Sequence, residues 1–274
     1  MSYRVVFAFF WIFWTALAGS QAFELKRGSV PSKAMGRSIS VSMLVPDGYR
    51  NSSKPVPVVY LLHGFADDDT AWPERTKIGE LADQYGVLVV CPDGDNSWYF
   101  DSPEVPEMQF ETFVSDELVK FVDDRFKTIK GPKGRAITGL SMGGHGAMFL
   151  AIRHPDVFGA VGSMSGGVDI RPFPNEWEIK RAIGTIEDHP EHWEELTVIN
   201  QARSLKDGQL AIAIECGVDD FFIDVNRALH QQLLEQKVAH DYTERPGRHD
   251  WDYWRNAIDY QMLFFSKFFD RADG

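Results

Sequence analysis

Lys130-Gly131-Pro132-Lys133-Gly134, Arg135-Ala136-Ile137-Thr138, Gly139-Leu140-Ser141-Met142-Gly143 and Gly144-His145-Gly146-Ala147-Met148-Phe149-Leu150-Ala151-Ile152 follow one another without a break. A turn-rich segment releases a short β-prone run. A G-x-S-x-G pentapeptide comes next, and small residues then lead into an apolar, helix-like stretch. Strand, sharp turn and helix make the setting in which a serine sits on a strained elbow, its hydroxyl above the end of a sheet. Flanking glycines let the strand and helix pass closely without a Cβ clash. In a chain with 23 glycines the pentapeptide alone decides little. It needs partners.

A serine hydroxyl attacks well only when a histidine takes its proton and a carboxylate holds that histidine in the right tautomer. Where G-x-S-x-G caps a strand of an α/β sheet, the required chain order is Ser, then Asp or Glu, then His. The chain has this order. Ala211-Ile212-Ala213-Ile214-Glu215-Cys216-Gly217 reads as a buried strand ending in a turn, with Asp219 and Asp220 immediately beyond it. Arg248-His249-Asp250-Trp251 follows the turn Arg245-Pro246-Gly247. Of the eight histidines, His249 is the one that lies late, on a loop, and downstream of a carboxylate-bearing strand end. An oxyanion also needs backbone donors. Val56-Pro57-Val58-Val59-Tyr60-Leu61-Leu62 is a strand that runs into His63-Gly64-Phe65, so the expected donors are the amides of Phe65 and Met142.

With these residues in place the chain resembles the α/β-hydrolase esterases that group esterase D, feruloyl and acetyl-xylan esterases, and the mycolyltransferases. The resemblance is carried by Tyr60-Leu61-Leu62-His63-Gly64, Gly139-Leu140-Ser141-Met142-Gly143-Gly144, His154-Pro155-Asp156-Val157-Phe158, Ser163-Met164-Ser165-Gly166, Cys216-Gly217-Val218-Asp219-Asp220-Phe221 and Gly247-Arg248-His249-Asp250-Trp251. It implies an α/β-hydrolase fold and a Ser141, Asp220, His249 triad. It also implies one oxyanion donor from the residue after the His-Gly pair, Phe65. Asp219 and Asp224 compete with Asp220 for the acid, and the family's G-x-x-D turn favours Asp220.

Composition fits a soluble globular protein: 274 residues, 44% hydrophobic and 25% charged. A net charge of −12 argues against nucleic acid or an anionic membrane surface as partner. Arg4 precedes the apolar run Val5 to Ala18, which is short for a membrane span, and Ser20-Gln21-Ala22 offers small residues for cleavage. The expectation is a signal peptide over 1–22, then one catalytic domain over 23–274, secreted or periplasmic and free of the membrane after cleavage. Cys91 and Cys216 end two strands that several others should separate, so two buried free thiols are expected.

The rest alternates between β and α patterns, implying a mostly parallel sheet covered on both faces. Ile39, Val41, Met43 and Val45 alternate as a half-buried strand; Phe110, Phe113, Val114, Leu118, Phe121 and Val122 recur at helical spacing. Leu229 and Leu233 mark a further helix, and Trp254 to Phe269 the last. The least regular stretch, 167–209, carries Phe173, Trp177, His189 and Trp193; it is either a small lid or a surface excursion anchored by its tryptophans. Asn96-Ser97-Trp98-Tyr99-Phe100 could supply aromatic pocket walls.

Other motifs carry less. Asp67-Asp68-Asp69 lacks the spacing of a calcium loop and reads as a solvated loop. His189 and His192 lack the i, i+4 spacing of a helical zinc pair, so no metal or cofactor is expected. His63 is expected to support the oxyanion turn, and Ser165 lacks an elbow. The expected activity is hydrolysis of small-molecule or polysaccharide-linked carboxylic esters, acetyl or feruloyl, through an acyl-enzyme. S-formylglutathione hydrolysis is disfavoured as a cytosolic activity. A mycolyltransferase-like acyl transfer or a silent carbohydrate-binding protein are the alternatives, and nothing in the chain fixes an oligomeric state.

Overall fold

Eight strands form one sheet in a computed structural model that describes residues 23–272. The expected signal segment, 1–22, lies outside the described residues. In chain order the strands are β1 (Phe23–Ser32), β2 (Arg37–Pro46), β3 (Val58–Leu62), β4 (Leu88–Pro92), β5 (Arg135–Gly139), β6 (Ala160–Met164), β7 (Ala211–Gly217) and β8 (Asp241–Arg245). The helices are α1 (Ala71–Arg75), α2 (Ile78–Tyr85), α3 (Phe110–Thr112), α4 (Val119–Arg125), α5 (Met142–Arg153), α6 (Ile179–Ile183), α7 (Pro190–Glu195), α8 (Val198–Gln201), α9 (Ile223–Glu235) and α10 (Trp251–Ala272). Spatially the strands run β1-β2-β4-β3-β5-β6-β7-β8, and β2 is antiparallel to both its neighbours while β3 to β8 are parallel.

The central strands alternate between two cores, as a pleated strand must. Val58, Tyr60 and Leu62 face one core with α4, α5 and α9; Val59 and Leu61 face the other with α2 and α10. Because both faces are covered, β3 and β4 read as continuous apolar runs. The order reverses between β3 and β5: the chain leaves β3 for β4 on one side, then returns to place β5 on the other. At such a switch point the loops beyond the strand ends diverge and open a crevice. His63-Gly64-Phe65 leaves β3 there, and Ser141 follows β5.

Three elements depart from the sequence reading. Strand β2 is buried on both faces in its second half, where Ser42 donates to Asp69 Oδ2 at 2.6 Å. Asp69 is therefore buried. Asp67 pairs with Arg75 at 3.0 Å and Asp68 accepts from Thr70, so this triplet is a fastened turn rather than a solvated loop. Edge strand β1 is mostly exposed and β8 is polar and mostly half-buried, and neither shows apolar alternation, because an edge strand needs little burial to pair. The helix beginning at Phe110 contains a π-helical stretch, Phe113–Leu118, before α4. Its wider turn shifts the phase and leaves Phe121 partly exposed beneath Arg125. Cys91 and Cys216 are both buried and free, and β3, β5 and β6 stand between their strands.

Candidate active site

Ser141 joins β5 to α5 with φ 54° and ψ −116°, a backbone conformation that costs a non-glycine residue on the order of 1–3 kcal/mol. The strain is held by close packing. A Cβ at Gly143 would lie 2.5 Å from His63 O and 2.6 Å from Leu62 O, so only glycine lets α5 start so near β3. Ser141 N donates to Met164 O at 2.9 Å, and Gly167 N donates to Ser141 O at 3.3 Å. The elbow is thereby tied to β6 and to the segment after it.

The structure brings Ser141, His249 and Asp220 together. Ser141 Oγ donates to His249 Nε2 at 2.9 Å; His249 Nδ1 donates to Asp220 Oδ2 at 2.9 Å and Oδ1 at 3.0 Å. The carboxylate can only accept, so it fixes the proton on Nδ1 and leaves Nε2 as the acceptor facing the serine. Asp220 is 2% exposed and its Oδ1 also accepts from Phe222 N at 2.8 Å, so the carboxylate is oriented and dry. Asp219 is exposed, and Asp224 is solvated beside Arg227. Neither reaches the histidine.

Two loops converge to build this pair. Val218 N donates to Arg245 O and Asp219 N to Gly247 O, each at 2.9 Å, which zips the acid loop to the histidine loop. A Cβ at Gly217 would stand 2.4 Å from Gly247 O, so this approach too requires glycine. Below it, buried Glu215 receives Gln261 Nε2 at 2.8 Å and pairs with the Arg245 guanidinium, which lies 4.2 Å from the Tyr260 ring centroid. Removing one partner of a buried pair strands the other charge. Arg245→Met is expected to destabilise the fold by about 3 kcal/mol, measurable by urea denaturation; a change under ~1 kcal/mol would show that the pair is dispensable.

The expected oxyanion donors border the same spot. A Cβ at Gly64 would be 3.5 Å from Ser141 Cβ, which places the turn after β3 against the serine. Among the described residues neither Phe65 N nor Met142 N is found donating to a backbone oxygen outside the helices and strands. His63 supports the turn from behind. Its Nε2 accepts from Gly94 N at 2.7 Å, its Nδ1 donates to Gly64 O at 2.7 Å, and Tyr99 Oη donates to His63 O at 3.1 Å. His145 is no base: its ring lies among Trp98, Phe100 and Phe149, and burial pushes its pKa down to about 4. Ser165 is fully buried.

The sequence gives Phe221 no role of its own and leaves Trp177 as part of a lid or as a packing anchor. Phe221, next to Asp220, is 51% exposed and packs on His249 with ring centroids 4.1 Å apart. Trp177 stacks on Phe221 at 5.4 Å and 16°. The order His249, Phe221, Trp177 forms an aromatic ledge leading away from the serine. Trp193, by contrast, is fully buried and donates to Gly184 O, so it anchors the insert. A cleft of about 680 Å³ lined by Glu111, Arg153, His154 and His192 does not include Ser141.

Known proteins share this architecture. The Esterase family profile matches residues 32–265. An acetyl esterase of Caldicellulosiruptor saccharolyticus is 29% identical over 230 residues, covering 80% of this chain and 86% of that protein. The diacylglycerol acyltransferase/mycolyltransferase Ag85A of Mycobacterium leprae is 41% identical over 150 residues, 51% of this chain and 43% of that one. The chain thus spans less than half the length of some curated relatives it matches. Among solved structures, a ferulic acid esterase superposes with a TM-score of 0.77 at 26% identity, covering 90% of this chain and 98% of its own. Family match, fold and relatives agree: the chain belongs to the Esterase family and is a carboxylic ester hydrolase with an α/β-hydrolase fold.

Proposed function

We propose that ester cleavage proceeds through an acyl-enzyme on Ser141, and that the esters are acetyl or feruloyl groups carried by carbohydrates. The observation that carries the mechanism is the unbroken hydrogen-bond chain from Ser141 Oγ through His249 to the Asp220 carboxylate. His249 Nε2 takes the serine proton as Oγ attacks the ester carbonyl. The Phe65 and Met142 amides receive the charge that develops on the carbonyl oxygen. When the tetrahedral intermediate collapses, His249 returns the proton to the departing alcohol. Water then repeats the sequence and releases the acid. Asp220 keeps the imidazole in one tautomer and offsets its positive charge while it is protonated.

The ledge of Phe221 and Trp177 supports the substrate class. A planar feruloyl ring or the apolar face of a sugar gains most from a flat, partly exposed aromatic surface beside the reacting centre. An export signal over 1–22 would bring the enzyme to polymer-linked esters. Purified protein should hydrolyse p-nitrophenyl acetate and methyl ferulate. Trp177→Ala is expected to raise KM for methyl ferulate about tenfold with kcat within ~3-fold, because only stacking is lost. An unchanged KM would remove the ledge from substrate binding; no turnover of either ester by folded wild-type protein would overturn the hydrolytic reading.

The 41% identity with the mycolyltransferase relative over 150 residues favours a second reading, in which an alcohol intercepts the same acyl-enzyme. Water and alcohol differ only in the acceptor. Adding a sugar acceptor to the assay distinguishes them: a transfer product formed faster than free acid favours transfer.

A further inference from the structure

We propose that Glu104, His189 and His192 form a binding site for a first-row divalent cation such as Zn²⁺, apart from the ester chemistry. Glu104 belongs to the loop between β4 and α3; His189 caps α7 and His192 lies within it. Their ligand atoms all lie within 4.8 Å of one another. The two imidazoles are stacked, with centroids 4.8 Å apart and 5° between planes.

Each histidine offers one ring nitrogen to the cluster. His192 Nδ1 donates to Ile183 O at 2.8 Å, so its Nε2 carries a free lone pair. His189 Nδ1 lies 3.5 Å from Glu191 Oε1, and its Nε2 faces Glu104 Oε1 at 3.6 Å. The Ile183 carbonyl is the kind of outer partner that orients a histidine ligand. The separation of 3.6 Å is too long for a good hydrogen bond. It is close to the ~3.3 Å edge between two ligands of a tetrahedral ion with bonds of about 2.0–2.1 Å. Three ligand atoms thus face one another within reach of a single ion. Two imidazoles and one carboxylate form a set that suits Zn²⁺ and leaves a fourth position to water.

The backbone beneath is already fixed. Ser102 Oγ donates to Ala182 O in the insert and accepts from Glu104 N at 3.1 Å. A bound ion would add a second bond between the same two segments, fastening the 167–209 insert to the loop that carries Trp98. The side chains are partly exposed, so closing the remaining distance requires only rotamer adjustment.

The test is calorimetric titration of ZnCl₂ into chelator-stripped, dialysed full-length protein, with thermal unfolding alongside. One-to-one saturable binding is expected, with Tm rising by roughly 3 °C at saturation. His192→Ala and Glu104→Gln should each weaken binding at least about tenfold. His230→Ala, which removes the other close histidine pair, His230 and His240, should leave it unchanged. MgCl₂, which prefers oxygen ligands and octahedral geometry, should give no comparable heat. Absent saturable Zn²⁺ binding, binding lost with His230→Ala but kept in His192→Ala, or equal binding of Mg²⁺ would each overturn the assignment.

Discussion

Ser141→Ala is expected to lower kcat for p-nitrophenyl acetate by at least about 10³-fold while leaving Tm within ~2 °C of wild type. The size of the loss follows from the role. With Oγ gone, His249 and the two amides remain, but no covalent acceptor exists, and only water polarised by the site can attack. Stability should hardly move, because the strained backbone at position 141 is imposed by the packing of β5, α5 and β3 rather than by the hydroxyl. Steady-state kinetics and a thermal melt on the same preparation check both halves. Retained turnover would mean that the serine is not the nucleophile. A loss of turnover accompanied by a large fall in Tm would trace the effect to folding.

Asp220→Asn should follow closely, with kcat reduced by about 10³–10⁴-fold and KM within ~3-fold. Both carboxylate oxygens lie within 3.0 Å of His249 Nδ1, and one of them also receives Phe222 N. A carboxamide that keeps its oxygen toward Phe222 N presents an NH₂ group to Nδ1. The imidazole then moves its proton to Nε2, where the serine needs a base. The geometry survives and the chemistry does not. Asp219→Asn is the control: that side chain is exposed, and the carboxylate paired with His249 is that of Asp220, so its kcat should stay within ~3-fold. If the two asparagine variants were equally impaired, Asp220 would not be the group that orients the histidine.

The elbow was legible because its demands are local. A serine with positive φ between a strand and a helix needs small neighbours, and Gly139, Gly143 and Gly144 announce them within a few residues. The buried strands β3 and β4 were legible as apolar runs, since burial on both faces favours apolar residues along the whole strand, and β5 as a β-prone run between a turn and the elbow. Edge strands β1 and β8 were not: pairing through the backbone places no demand on their side chains. The π-helical turn was hidden for a related reason. Apolar spacing reports an average period and does not show where one turn widens.

For the site, the residue types and their order in the chain determined the candidates Ser141, Asp220 and His249, while the choice between Asp219 and Asp220 rested on a family motif. Only the tertiary structure set which of these neighbouring carboxylates meets the imidazole, because adjacent side chains leave a turn in different directions and the direction depends on how the loops after β7 and β8 are zipped together. The same holds for the ledge at Phe221 and Trp177, and for Glu104 facing His189 and His192. Each joins residues far apart in sequence, and local sequence carries no record of a contact whose distance is fixed by how the sheet brings separate loops together.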